Sequence, residues 1–312
     1  MRKFPESQLR IRQGINFSYQ KPSPSLFPIA NAHTSQAMAL ESHPPEIPNL
    51  PDMTSPAIQS PKTALSVLDQ IAIVLMEPKF PENIGAAARI AWNMGLSRLI
   101  VVRREEPDHE SMAKMATHKA VHLIDNMELH ENLENALAPF SWVVGTTARR
   151  GRQRLLEKGP RDVVQEIAPL LPENQIAFLF GPEHRGLTND DLKYCQMTSA
   201  IPTAGFSSLN LAQAVAVHCY EIYYGLIHAK KNMLPTPKFA STFELEGMYT
   251  HVEEALLKID FLQEKNHAYW MNNIRQFLSR VRLSSKDTNI IRGICRQFLW
   301  HQGDQEKTNH DD

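Results

Sequence analysis

Short apolar runs alternate with amphipathic stretches through the middle of the chain. Ile71–Met76, Leu99–Val102, Trp142–Gly145 and Ile176–Phe180 are continuous apolar segments of strand length, the pattern of strands buried on both faces. The stretch Ile84–Met94 has an Ala-rich inner face, with Asn83 as a candidate N-cap and Gly95 as its stop, and predicts a helix. Ser111–Val121, Glu131–Leu137 and Arg161–Leu171 read as further helices, the last closed by Pro172. A short strand-like piece ends at Ile201–Pro202, and Leu209, Ala212, Val215, Ala216, Cys219 and Tyr220 then recur at helical spacing. Strands alternating with helices predict an α/β domain over 66–231 with a mainly parallel sheet.

The flanks follow other patterns. Residues 1–65 are rich in proline and serine, have no periodic apolar face, and read as a disordered arm. Sparse basic residues give little support to a transit peptide there, and Met38 and Met53 offer later starts. Residues 232–240 form a proline-bearing linker. Beyond it, Leu245 to Ile259, Trp270 to Val281 and Ile290 to Leu299 show three helical periodicities, a small all-helical module over 241–300 followed by a tail, 301–312. Its last two helices carry Arg275, Arg280, Arg282, Lys286, Arg292 and Arg296 against Asp287. Both a solvated face and phosphate contact fit that bias.

Composition narrows the function classes. A formal net charge of −1 over 312 residues excludes a uniformly basic nucleic-acid binder but not a local basic patch. Three widely spaced cysteines argue against a disulfide framework and for a reducing, cytoplasmic setting. His118 and His122 stand four apart without a third ligand nearby, so no metal site is expected. No apolar run reaches the ~18 residues that a membrane span needs.

Candidate chemistry gathers at loops that follow strands. Gly181–Thr188 has the GxxxxG spacing of a phosphate loop, but Leu187 stands where the phosphate-gripping lysine would be, which removes a nucleotide triphosphatase. Thr146 and Thr147 end a strand ahead of Arg149, Arg150, Arg152 and Arg154, a loop that is either simply solvated or binds phosphate. Arg89 lies about two turns into the first helix, where a surface salt bridge is the ordinary alternative to a functional role.

Taken in order, NIGAAAR (Asn83–Arg89), GTTARRGR (Gly145–Arg152), FGPEHRGLTNDDL (Phe180–Leu192) and IPTAGFSSLNLAQAV (Ile201–Val215) resemble the motifs of SPOUT-class RNA 2′-O-methyltransferases of the TrmH family, nearest its TrmJ type. The C-terminal EGMYTHVEEALLKIDF and NIIRGICRQFLW resemble that type's helical extension, so the resemblance runs from about Leu68 to Trp300. It implies a deep C-terminal trefoil knot, bound S-adenosylmethionine, a homodimer, and a tRNA ribose as substrate, in this type pyrimidine 32 of the anticodon loop. By the same resemblance Thr146, Thr147, Ala148, Gly181, Ile201, Ser207, Ser208 and Leu209 line the cofactor pocket. Arg89 and Ser208 are the catalytic pair, with Glu183 and Asn210 shaping the loops. A 2′-O-methyltransferase of ribosomal RNA, or an idle RNA-binding relative, are the alternatives it leaves.

The methyl of a sulfonium is already electrophilic, so the chemistry requires no metal and no covalent enzyme intermediate; alignment and loss of the hydroxyl proton are what remain. Arginine stays protonated, so Arg89 is expected to donate to a phosphate or to developing oxygen charge rather than to act as a base. One motif departs from the type: Asn-Pro-x-Tyr commonly precedes the paired serines, whereas Thr203–Phe206 reads TAGF here. That change bears on substrate position and nucleobase preference rather than on the cofactor.

Overall fold

The computed structural model describes residues 67–148, 157–204, 209–229 and 236–308. The expected arm, Ser207 and Ser208, and the arginines of the 149–154 loop lie outside them.

Seven parallel strands form one sheet. They are β1 (Ile71–Met76), β2 (Arg98–Val102), β3 (Glu128–His130), β4 (Trp142–Thr146), β5 (Glu157–Lys158), β6 (Ile176–Phe180) and β7 (Met197–Ser199), in the order β3-β2-β1-β6-β4-β7-β5. The four runs read as strands from the sequence are the central ones, β2, β1, β6 and β4. Their continuous apolar character follows from cover on both faces. Ile71, Ile73 and Leu75 join one core cluster, while Ala72 and Val74 join the other, the period-2 alternation of a strand between two layers.

Helices supply those layers. On the first face lie α1 (Pro81–Asn93), α2 (His109–Asp125), α4 (Pro160–Ile167) and α6 (Leu211–Ile227). On the second are α3 (Leu133–Leu137) and α5 (Asn189–Leu192). Sequence and structure differ at the start of α1. The helix begins two residues before Asn83, its N-cap is Phe80, and Pro81 takes the first turn, where a missing N–H costs nothing. Asn83 is therefore free for other work. At the far end Gly95 adopts φ 73 just after the helix, as expected of a stop. Strand β3 is absent from the sequence reading because it is three residues long and its one apolar residue, Leu129, is exposed. Helix α2 contains a break at Thr117 (φ 63, ψ 167), a conformation that a β-branched residue rarely adopts.

Beyond the sheet stand α7 (Thr242–Lys258), α8 (His267–Ser279) and α9 (Ser285–Thr308), which enclose their own cluster of Met248, Tyr249, Leu262, Met271 and Leu283. Helix α9 runs on into the stretch read as a tail. The connection is fastened: buried Asn174 donates to the carbonyl of Pro237 (3.2 Å) and accepts from the N–H of Phe239 (2.8 Å). Thr242 anchors α7 by donating its N–H and hydroxyl to the carbonyl of Phe140.

Candidate active site

The carboxyl ends of β4, β6 and β7 open onto a cavity of about 260 Å³. Ligands of open α/β sheets collect at such ends, since backbone groups point outward there. Six of the residues expected to hold the cofactor line it together: Thr146, Thr147, Ala148, Gly181, Ile201 and Leu209.

Local chemistry shapes its walls. Thr146 donates its hydroxyl to the carbonyl of Leu179 (3.0 Å), tying the end of β4 to β6. Thr147 donates its N–H to the carbonyl of Ser199 (2.9 Å), tying the same end to β7. Gly181 must be glycine on steric grounds: a Cβ there would stand 2.4 Å from the backbone of Gly186 and Leu187, because the PEHRGL loop folds back across it. The loop then enters α5 through a capping box in which Thr188 and Asp191 satisfy each other's backbone N–H groups.

A polar chain links three segments beside the cavity. Asn83 donates to Glu183 Oε1 (2.6 Å) and accepts from the Asn210 amide (3.1 Å). Glu183 also accepts the backbone N–H of Lys79 (2.9 Å). Asn210 in turn caps α6, taking the N–H of Ala212 (2.8 Å). Partial burial pushes the Glu183 carboxyl up, but the Lys79 N–H and the Asn83 amide outweigh it and hold the group below the usual carboxylate range. A neutral amide thus joins an anion to a helix cap, and Asn83, expected as a cap, is instead the connector.

His218 is a lining residue that the sequence reading missed. It is buried, with Nδ1 2.9 Å from the carbonyl of Ala214 and Nε2 2.9 Å from Ser199 Oγ. A carbonyl only accepts, so the proton sits on Nδ1 and Nε2 accepts from the serine. Burial pushes the imidazole down to about 4, against the opposing effect of the Ala214 bond. Its sequence signal was a histidine in register with Leu211, Val215 and Ile222 on the apolar face of α6.

Arg89 lies on α1, exposed, outside the cavity lining and with no polar partner among the described residues. It is a cation available to a ligand, not part of a surface ion pair. In the helical module two expected phosphate contacts are committed elsewhere. Arg275 makes a bidentate pair with Glu246 (2.5 and 2.6 Å) over the ring of Tyr249. Arg282 donates to Glu166 (3.1 Å) and lies over Trp142. It also lies past the end of α8 at φ 53, so it does not share a helix face with Arg275.

Residues 70–220 match the SpoU rRNA Methylase family, and residues 243–310 match the family described as tRNA methyltransferase TrmJ, C-terminal domain. The chain is 36% identical over 243 residues to the tRNA (cytidine/uridine/adenosine-2′-O-)-methyltransferase TrmJ of Pseudomonas aeruginosa, covering 74% of this chain and 94% of that protein. Identity to the tRNA (cytidine/uridine-2′-O-)-methyltransferase TrmJ of Pectobacterium atrosepticum is 34% over 235 residues, 73% of this chain and 96% of the relative. The crystal structure of TrmJ from Z. mobilis superposes with a TM-score of 0.64 at 29% identity, over 73% of this chain and 98% of that one. Both parts of the chain match in the order its motifs foretell, over nearly the whole of these relatives, and the chain belongs to the TrmJ family of tRNA 2′-O-methyltransferases.

Proposed function

We propose that the protein transfers a methyl group from S-adenosylmethionine to the ribose 2′-hydroxyl of pyrimidine 32 in the tRNA anticodon loop. It works as a cytoplasmic homodimer, with the C-terminal part of the sheet domain tucked into a trefoil knot. The observation that carries the reading is the cavity at the ends of β4, β6 and β7, where six independently expected residues converge. The strand order supports the knot: β6 lies between β1 and β4, and β7 between β4 and β5, so the late segments enter the middle of the sheet.

The lining suits this cofactor. Ile201, Leu209 and Leu211 offer aliphatic contact for the faces of a base, and the strand ends present backbone groups for its edges. The cofactor supplies an electrophilic methyl carried on a sulfonium. Thr146, Thr147, Gly181 and Leu209 hold it, with Ser207 as the family motif indicates. Glu183 and Asn210 fix the loops through Asn83. Arg89, uncommitted and exposed, grips a phosphate or donates to the alkoxide as it develops, with Ser208 beside it in the family motif. The helical module holds the rest of the tRNA.

Transfer of tritiated methyl from S-adenosylmethionine into tRNA, with the product nucleotide mapped by mass spectrometry, tests the reading. Label at ribose 32 is the expected result. Label confined to ribosomal RNA, or no transfer from the full-length protein, overturns it.

A further inference from the structure

A second cavity, of about 920 Å³, lies at the other end of β4, between the sheet domain and helices α7 and α8. Strand β4 starts at Trp142 in this cleft and ends at Thr146 in the cofactor cavity, four residues or ~13 Å away. A nucleotide bound in the cleft is therefore not the one methylated at this protomer's cofactor site.

The walls favour a ligand rich in acceptors. Lys193, Arg275 and Arg282 face it against one carboxylate, Glu246. Arg275 is held bidentate by that carboxylate and Arg282 is engaged by Glu166, so exposed Lys193, over the ring of Tyr194 at 5.0 Å, brings the uncompensated charge. Trp142 is 4% exposed, and its buried Nε1 has no hydrogen-bond partner among the described residues. An indole N–H only donates, and leaving a buried donor unpaired is costly, so an acceptor that reaches it on binding recovers that cost. From helix α8, Tyr269 is 65% exposed and lines the cleft one turn from the exposed amide of Asn272 and two from that of Gln276.

A cation, an unpaired indole donor, an exposed ring and amides together match a single-stranded nucleotide: phosphate, base acceptor, base face and base edge. We propose that this cleft is a second RNA site that takes an unpaired nucleotide of the bound tRNA. Lys193 meets the phosphate, Tyr269 stacks on the base, and the Trp142 N–H donates to an acceptor of the same nucleotide. The inference rests on the proposed tRNA substrate and puts recognition in the cleft between domain and module rather than on Arg275 and Arg282.

The test uses the full-length protein and whole tRNA, with Lys193→Ala, Tyr269→Ala and Trp142→Phe. Binding is measured across a salt series, alongside cofactor affinity, kcat, KM and thermal melting. Lys193→Ala is expected to reduce the salt slope by about one phosphate contact, and Tyr269→Ala to weaken tRNA binding on the order of tenfold. Trp142→Phe is expected to weaken it about fivefold without loss of thermal stability, because it removes a donor that has no partner among the described residues. In all three, KM for tRNA rises while kcat and cofactor affinity hold, the pattern of lost uniform binding. Wild-type affinity and salt slope in the three variants, with wild-type methyl transfer to tRNA intact, overturn the cleft alone. A wild-type protein that neither binds nor methylates tRNA overturns the proposed substrate and the cleft together.

Discussion

Asn83 is the residue whose replacement most directly tests how the proposed cofactor cavity is held. It donates to Glu183 at 2.6 Å and accepts from Asn210 at 3.1 Å. A hydrogen bond to a carboxylate contributes ~1.5–3 kcal/mol and a neutral one ~1 kcal/mol, with lower values applying near the surface. Asn83→Ala should therefore cost about 2 kcal/mol of unfolding free energy. Asn83→Asp keeps the shape but sets a second carboxylate against Glu183, so at pH 7 it should cost more than the truncation. The Glu183 carboxyl is held below its ordinary value, so its contribution is full above the unfolded pKa of ~4.3 and fades as pH falls through the lower folded value. The excess penalty of Asn83→Asp should shrink over the same acid range, as one of the facing carboxylates takes up a proton. Urea denaturation at pH 7 and pH 4 reads both effects. A double-mutant cycle with Glu183→Gln should return a coupling of about 1–2 kcal/mol. Cofactor affinity, by calorimetry, should fall about tenfold in Asn83→Ala, because Glu183 and the first turn of α6 both line the cavity. A coupling below ~0.3 kcal/mol with unchanged cofactor affinity would refute the reasoning.

Arg89→Ala should lose about a hundredfold in methyl transfer while cofactor affinity stays at the wild-type value, since the side chain lies outside the cavity; near-normal turnover sinks its assignment. Thr117→Gly should stabilise the fold by about 1 kcal/mol, because glycine adopts φ 63, ψ 167 without the strain that threonine carries; a loss in urea midpoint would show that the threonine side chain contributes more than the strain costs. His218 is held to about 4 against an ordinary 6.5, so below that ordinary value the unfolded chain binds a proton that the fold refuses. Stability should be level above pH ~6.5 and fall towards pH 4 by at most about 1.4 kcal/mol per pH unit, and His218→Gln should remove that component; an identical pH profile in the variant contradicts it.

What could be read beforehand was whatever a local pattern encodes. The central strands declared themselves because burial on both faces demands unbroken apolar runs. Motif order singled out the loops expected to hold the cofactor, and the structure brings six of their residues to one cavity. Edge strand β3 was not legible, since three residues with an exposed leucine between two half-buried polar ones carry no apolar period. Asn83 was assigned the wrong task because capping chemistry and long-range bridging use the same amide, and only the fold puts Glu183 and Asn210 beside it. His218 was hidden for a related reason: its partners, Ala214 and Ser199, lie one turn back and on another strand. Arg275 and Arg282 were read by charge alone, and charge does not say whether a partner is already waiting.

That last point bears on how affinity for RNA is divided. Arg275 and Glu246 are largely buried together, and a bidentate pair in that setting orients two helices more than it attracts a distant polyanion. Arg282, bonded to Glu166 and lying over Trp142, joins the module to the sheet domain, as Asn174 and Thr242 do through backbone groups. Four contacts of different chemistry thus fix the helices relative to the start of β4, and the strand itself fixes that start relative to the cofactor cavity. On the proposed substrate, the long-range pull on tRNA falls to cations left exposed at the surface, Lys193, Arg280, Lys286 and Arg296 among those described. In a chain whose formal charge is −1, such cations supply affinity only where they cluster, and the rigid junction keeps them in place relative to the reacting ribose. Committing the two arginines to structure lowers the charge available to RNA, and in exchange it fixes the spacing between the cleft at one end of β4 and the proposed methyl-transfer site at the other.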